Sequence, residues 1–240
     1  IEDVVAVARL NRPVVETISS SPSFPRILAS ANWVQQAVQD NALRAQRGEP
    51  TQAYYGINTG FGIHAAGKPL DDPDKTRQAS RKLIMSHSAG VGEYLSLEIV
   101  RAAMLIRANT LAKGYSGVRP VIIERLLQML SRQIIPAIPA IGSLGASGDL
   151  APLAHLALVL SKPPETMLDQ SPAPGYADMS GEVLKIDGMG DIVGLVSGQE
   201  AMQWDGADQR LVLEAKEGLA LSNGASFSAA IAVLCAHDAD

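Results

Sequence analysis

Apolar residues recur at intervals of three and four along much of the chain, which is the period of an α-helix. The stretch LSLEIVRAAMLIRANTLAKG shows this most clearly, with Ser96 as a candidate N-cap and Gly114 as a candidate stop. Its predicted buried face is Val100, Met104, Ala108 and Leu111. The pattern predicts a helix between Ser96 and Gly114.

Two more helices are predicted directly after it. The stretch VRPVIIERLLQML carries Pro120 in its first turn, and Pro136 and Pro139 rule out its continuation. Its inward positions are Ile122, Ile123, Leu126, Leu127 and Leu130. Residues 150–160 are apolar almost all round, as expected of a helix buried within a core.

The remaining patterns are weaker. Shorter helices are predicted for EDVVAVARL and for residues 31–47, the latter with Trp33, Ala37 and Leu43 on a partly apolar face. Residues 161–212 change to Pro, Gly, Asp and Ser, which predicts a surface excursion with a hairpin. Helix is expected to return near LVLEAKEGLAL. Since strand signals are sparse, the fold class is mainly α with a few short strands.

Composition excludes several classes of protein. The 240 residues are 47% hydrophobic and 19% charged, a balance typical of a globular core. The net charge of −5 gives no basic surface for nucleic acid. A single cysteine, Cys235, excludes an internal disulfide framework, and the apolar run 219–235 is interrupted by polar residues. With no signal-peptide pattern at the N-terminus, we expect a soluble cytoplasmic protein without a membrane partner.

Two stretches carry candidate chemistry. YYGINTGFG places Tyr55 on a glycine-rich loop, although no strand precedes it and no Lys-Ser/Thr follows it as a phosphate loop requires. In IPAIGSLGASGDLAPLAHLALVL, the tripeptide Ala146-Ser147-Gly148 stands where a helix is about to begin. A surface loop and a helix cap are the ordinary interpretations of these two stretches.

Five segments together resemble the histidine/phenylalanine ammonia-lyase family, the aromatic amino acid lyases and aminomutases. They are YGINTGFG, SHSAGVG, RANTLAKGYSGVRP, GSLGASGDLAPLAH and KEGLALSNG, in family order. The resemblance covers nearly the whole chain but only the N-terminal half of a family member. It implies a cofactor-bearing N-terminal domain over residues 1–205 and, over 206–240, the start of a central bundle of long helices that is expected to continue.

The resemblance also implies a cofactor made from the chain itself. In the family, the glycine nitrogen of Ala-Ser-Gly, here Gly148, attacks the alanine carbonyl carbon, here Ala146. Loss of two waters, one taking the Ser147 hydroxyl, leaves 4-methylidene-imidazol-5-one (MIO). Glycine and alanine suit this step because neither blocks the compressed turn, and serine supplies a β-hydroxyl that can leave.

Roles for other residues follow by resemblance. Tyr55 matches the base that takes the β-proton, and Asn223 matches an asparagine that contacts the cofactor carbonyl and the substrate amine. Gly62 matches a substrate-binding position. The family usually reads Asn-Gly-Thr, whereas this chain reads Asn223-Gly224-Ala225, and Asn-Gly is also a common tight turn.

His87 matches the pocket for the substrate side chain, where it favours a polar ring and therefore histidine or tyrosine. The resemblance thus implies an ammonia-lyase that converts L-histidine to urocanate and ammonia, with a homotetramer as the full-length assembly. The alternatives are a tyrosine or phenylalanine ammonia-lyase or 2,3-aminomutase, and a catalytically silent scaffold. His155 is expected to make a structural hydrogen bond, and His64 and His237 lack ligand-like spacing, so no catalytic metal is expected.

Overall fold

Helices dominate the computed structural model, which describes residues 1–168 and 179–239 of the chain. The helices within these residues are α1 (Glu2–Leu10), α2 (Phe24–Gln46), α3 (Pro73–His87), α4 (Leu97–Leu111), α5 (Pro120–Ser131), α6 (Leu150–Leu160), α7 (Glu165–Leu168), α8 (Gly198–Ala201), α9 (Glu217–Ser222) and α10 (Ser226–Ala239). A short 3-10 helix covers Gly62–Ala66. The mainly α fold class is therefore confirmed.

Short strands form four two-stranded pairs in the described part of the chain. The antiparallel pairs are β1 (Val91–Tyr94) with β2 (Pro139–Ile141), β4 (Glu182–Ile186) with β5 (Ile192–Ser197), and β6 (Gln203–Trp204) with β7 (Ala207–Asp208); β3 (Ser161–Lys162) and β8 (Leu211–Val212) are parallel. The β4–β5 pair is the hairpin predicted within residues 161–212. Residues 169–178 of that predicted excursion lie outside the described residues.

The core is built around α4, α5 and α6, as their apolar patterns predict. α4 packs against α1, α5 and α10, and α6 packs against α3 and α9. Among the largest fully buried side chains are Met104, Ile123, Leu126 and Leu153. Burying one such side chain contributes about 1.5–3 kcal/mol. One hydrophobic cluster reaches from Val5 to Leu234, and the domain boundary at 205/206 stays a prediction.

The predicted start and apolar face of α2 are corrected by the structure. The helix begins at Phe24 rather than near residue 31, with Pro25 in its first turn. Trp33 and Leu43, predicted on the apolar face, are 52% and 48% exposed, whereas Ala37 is buried as expected. The buried side of α2 consists of Ile27, Ala31, Val34, Ala37, Val38 and Asn41. Trp33 instead meets the Tyr54 ring edge-on, with the ring centroids 5.4 Å apart.

Sequence analysis did not predict α3, because several of its buried positions are polar. Asp72 caps the helix by accepting the N–H of Asp74 at 2.8 Å. Arg81 is buried and donates to the carbonyl and hydroxyl oxygens of Ser161, at 3.3 and 2.8 Å. Polar groups can be buried in this way when each finds a hydrogen-bond partner. α3 carries His87 at its last position.

Residues 161–212, predicted to form a surface excursion, are partly buried in the structure. Val183, Leu184 and Met202 join the main hydrophobic cluster, so this segment contributes to the core. The helix expected near 211–221 begins only at Glu217, because residues 211–212 pair with β3. By length and composition alone the stretch Glu217–Ala239 could cross a membrane, a test that buried core helices also pass. Here it is divided into α9 and α10.

Candidate active site

The tripeptide Ala146-Ser147-Gly148 lies in the loop between β2 and α6, directly before the helix. Ala146 and Ser147 are exposed, and Gly148 is half-buried. Gly148 has φ +94°, a left-handed conformation that residues with a Cβ rarely adopt. The loop therefore turns sharply at the glycine, and small side chains leave the backbone of the tripeptide accessible.

Gly148 packs directly on Gly224, which brings two of the sequence-predicted site segments together. A Cβ on Gly148 would overlap the carbonyl oxygen of Gly224, so only glycine fits at this contact. The N–H of Asp149 donates to the same carbonyl at 2.7 Å. The tripeptide is thus held against the turn that contains Asn223.

The Asp149 side chain links the tripeptide loop to the start of α10. Its carboxylate is buried, 1% exposed, and accepts the N–H and hydroxyl of Ser228 at 2.8 and 2.7 Å. It also accepts the Ser143 hydroxyl at 3.1 Å. Asp149 precedes α6, yet its side chain caps the first turn of α10, a long-range role that differs from the ordinary local helix cap. Sequence analysis missed this role.

Asn223 lies between α9 and α10, so the Asn-Gly dipeptide does interrupt two helical runs. Asn223 is exposed, and its carbonyl oxygen accepts Arg107 Nη2 at 2.7 Å. The backbone of residues 223–224 is therefore fixed on both sides, by Arg107 at residue 223 and by Asp149 at residue 224. Ala225, which stands where the family usually has threonine, is exposed.

Arg107 is a second residue that sequence analysis overlooked. It is 3% exposed in the middle of α4, and its guanidinium also donates to the carbonyl of Ala220. Burial in low-polarity surroundings lowers the pKa of Arg107 to about 10, which leaves it charged at neutral pH. The sequence does contain one sign of this role, because Arg107 is a charged residue within a stretch predicted to form a largely apolar helix.

Tyr55 and Gly62 are close together on the glycine-rich loop. The N–H of Gly62 donates to the Tyr55 hydroxyl oxygen at 3.4 Å, and Tyr55 is 58% exposed. The Phe61 ring lies edge-on to Tyr55, with the centroids 6.3 Å apart. A Cβ on Gly56 would overlap Leu219 of α9, so the loop is packed closely against the helix that leads to Asn223.

His87 ends α3, and its Nδ1 lies 2.9 Å from the carbonyl oxygen of Leu83. A proton on Nδ1 satisfies that carbonyl and leaves Nε2 to accept a hydrogen bond. Among residues 1–168 and 179–239, no hydrogen bond joins His87 to residues 146–148. The loop that follows His87 is fastened to α6, because the N–H of Gly90 donates to His155 Nε2 at 3.0 Å. The predicted structural hydrogen bond of His155 is confirmed.

A buried ion pair joins two further segments of the site. Glu217 is 1% exposed and accepts Arg119 Nε and Nη2 at 2.8 and 2.7 Å, so the start of α9 is tied to the start of α5. Such bidentate, charge-assisted pairs fix geometry as well as adding energy. Within the described residues, no group of three or more His, Cys, Asp or Glu could hold a metal ion.

Comparison with known proteins gives one family for the whole chain. The model of the family described as aromatic amino acid lyase matches residues 1–240. A histidine ammonia-lyase of Caldanaerobacter subterraneus subsp. tengcongensis is 40% identical over 239 residues, which are 100% of this chain and 39% of that protein. One of Alkaliphilus metalliredigens is 44% identical over 190 residues, 79% of this chain and 32% of that protein.

Solved structures agree with this result. Tyrosine aminomutase from Streptomyces globisporus matches with a TM-score of 0.74 and 33% identity, covering 97% of this chain and 36% of that one. Histidine ammonia-lyase from Trypanosoma cruzi matches with a TM-score of 0.73 and 27% identity, covering 96% and 37%. The chain therefore spans well under half the length of the relatives that it matches.

Proposed function

Because the chain belongs to the aromatic amino acid lyase family, we propose that it is the N-terminal part of an ammonia-lyase that converts L-histidine to urocanate and ammonia. The observation that carries the proposal is the Ala146-Ser147-Gly148 turn, held against Asn223-Gly224 by the Asp149 hydrogen bond and by the contact between two glycines. Since the relatives are longer, the activity, the substrate and a homotetrameric assembly in the cytoplasm are parts of this proposal.

The residues of the turn fit the MIO cofactor. Gly148 has a left-handed backbone and no Cβ, and Ala146 and Ser147 are small and exposed, so no bulky side chain hinders closure. Closure joins the Gly148 nitrogen to the Ala146 carbonyl carbon and releases two waters, one with the carbonyl oxygen and one with the Ser147 hydroxyl. The product supplies an electrophile for the substrate amine, which no unmodified side chain provides.

The other residues of the site have roles that their positions support. Asn223 is exposed and precedes Gly224, which contacts the turn, and its side-chain amide can donate to an oxygen that gains negative charge. Tyr55, exposed on its loop, can take the proton from the β-carbon onto its phenolate oxygen, which becomes the hydroxyl. The N–H of Gly62 donates to the Tyr55 oxygen and restricts its position.

Mass spectrometry of the peptide that contains residues 146–148 tests the proposal. In folded protein we expect a deficit of two waters relative to the encoded sequence, since contacts with Gly224 hold the turn of small residues in place. An unmodified peptide from cooperatively folding full-length protein contradicts the ammonia-lyase function and favours the catalytically silent scaffold. The two outcomes are separated by one measurement on one sample.

The nature of the substrate is tested at His87. A polar ring pairs with the imidazole, whereas a phenyl ring leaves it without a partner at a cost of about 1–3 kcal/mol. In the full-length enzyme His87→Leu should therefore shift the ratio of kcat/KM for phenylalanine over histidine upward by about tenfold to a hundredfold. Assays on histidine, tyrosine and phenylalanine measure this ratio, and an unchanged ranking contradicts the assignment of His87.

An aminomutase is the second candidate, because the Streptomyces globisporus structure that this chain resembles is a tyrosine aminomutase. His87 suits tyrosine as well as histidine, since both rings offer a polar group. Chromatography of the same reactions for β-amino acids distinguishes the two activities. Urocanate without β-amino acids supports the ammonia-lyase, and β-tyrosine supports the aminomutase.

A further inference from the structure

Arg107 is a buried cation without an acidic partner among the described residues. Arg119 pairs with Glu217 and Arg77 with Glu214, whereas Arg107 and Arg101 on α4 donate to backbone carbonyls. Within residues 1–168 and 179–239, the hydrogen bonds of Arg107 go to backbone carbonyls and its Nε has no partner. Burying a charge without an acidic partner destabilises a fold. Arg101 shares this lack of an acidic partner within the described part of the chain, and what distinguishes Arg107 is the place where its guanidinium lies.

The guanidinium faces the turn that contains Asn223. Nη2 donates to the carbonyls of Ala220 and Asn223, which are two of the last carbonyls of α9 and its C-cap. Nη1 lies against Gly224 so closely that a Cβ on this glycine would overlap it. The opposite contact of Gly224 is with Gly148, whose Cβ position falls on the Gly224 carbonyl. Gly224 is thus enclosed between the guanidinium and the tripeptide.

We propose that Arg107 is a positioning residue for the closure of the 146–148 turn and for the direction of the Asn223 side chain. The inference rests on the proposed function and goes beyond it by assigning a residue distant from the reacting atoms. Arg107 holds the 223–224 peptide by its Asn223 carbonyl and by contact with Gly224. Gly224 in turn supports Gly148, the residue whose nitrogen must approach Ala146.

The planar fork of arginine is what this arrangement needs. One nitrogen donates to two carbonyls while the other lies flat against a glycine, and a lysine ammonium is a single point that cannot do both. The positive charge also offsets the carbonyl dipoles that converge at the end of α9. Without the guanidinium, residues 223–225 lose their support on the side away from the tripeptide, and Gly148 can relax.

The test compares Arg107→Met with Arg101→Met in the full-length protein. Arg101 is a matched control because it lies on the same helix, is 6% exposed and donates to a backbone carbonyl, that of Val7, at 3.2 and 2.9 Å. Ring content is measured as the share of chains that lack two waters, and thermal unfolding is measured beside it. We expect Arg107→Met to lower ring content or its rate of formation at least about tenfold, with Arg101→Met unchanged in this respect.

Arg107→Lys provides the second variant if Arg107→Met does not fold. The lysine keeps the charge, so we expect folded protein with slower closure and a lower kcat at similar KM, since Asn223 is less well directed. Normal closure and normal kcat in either variant overturn the inference. A wild-type protein that folds without forming the ring contradicts the proposed function and this inference together, whereas a defect equal in Arg101→Met and Arg107→Met overturns the inference alone.

Discussion

Ser147→Ala should leave a folded protein in which residues 146–148 no longer lack two waters and whose ammonia-lyase activity falls at least about a thousandfold. Alanine has no hydroxyl to leave, so the exocyclic double bond cannot form even where the turn is correctly arranged. Ser147 is exposed, and exposed substitutions change the free energy of unfolding by about 0.5 kcal/mol or less. Peptide mass, thermal unfolding and product absorbance are the three measurements.

Ser143→Ala is the control for this loss. Ser143 lies in the same loop and donates to Asp149, but it does not contribute an atom to the ring. We expect it to lower stability while the deficit of two waters persists. Residual turnover in Ser147→Ala within about tenfold of wild type would show that the electrophile is not formed from this serine.

Tyr55→Phe should lower kcat by at least about a hundredfold while the ring still forms. The substitution keeps the aromatic ring that meets Phe61 edge-on, and it deletes the oxygen that accepts the Gly62 N–H. Because the proposed proton acceptor is removed and the binding surface is retained, KM should change much less than kcat. Steady-state kinetics on histidine, with peptide mass as a check of ring content, measure both quantities.

Tyr54→Phe is a matched control one residue away. Tyr54 packs against Trp33 and the small cluster around Val34 and Val38, away from Tyr55 and Gly62. We expect its activity to stay near that of wild type. If Tyr55→Phe and Tyr54→Phe behave alike, the base is another residue.

The helices at the centre of the molecule were predictable from the sequence, and α3 was not. α4, α5 and α6 bury long apolar faces, and their period can be read along the chain itself. α3 buries Ser80 and Arg81, whose hydrogen-bond partners are distant along the chain, the carbonyl of Glu214 and Ser161. No local pattern contains that information. The same holds for Trp33, whose exposure is decided by what α2 packs against.

The candidate site divides in the same way. Motifs predicted the tripeptide, Tyr55, Asn223 and His87 as site residues. The structure brings the tripeptide into contact with Gly224, the residue after Asn223. The roles proposed for individual residues stay predictions. Asp149 and Arg107 were missed because their partners are backbone atoms or a serine far along the chain. Contacts with backbone groups leave little trace in the identity of the partner residue, so spacing alone could not reveal them.

The hydrogen bond between Asp149 and Ser228 joins residues 79 positions apart in the sequence. This separation determines when, relative to synthesis and folding, the ring at residues 146–148 can form. During synthesis the tripeptide leaves the ribosome well before Gly224 and Ser228 exist, so the support for closure is missing from the nascent chain. Bringing such distant segments together also carries an entropic cost that only the assembled core repays. Ring closure at residues 146–148 would then take place only after folding is complete. The reactive electrophile would therefore not be generated on an unfolded chain.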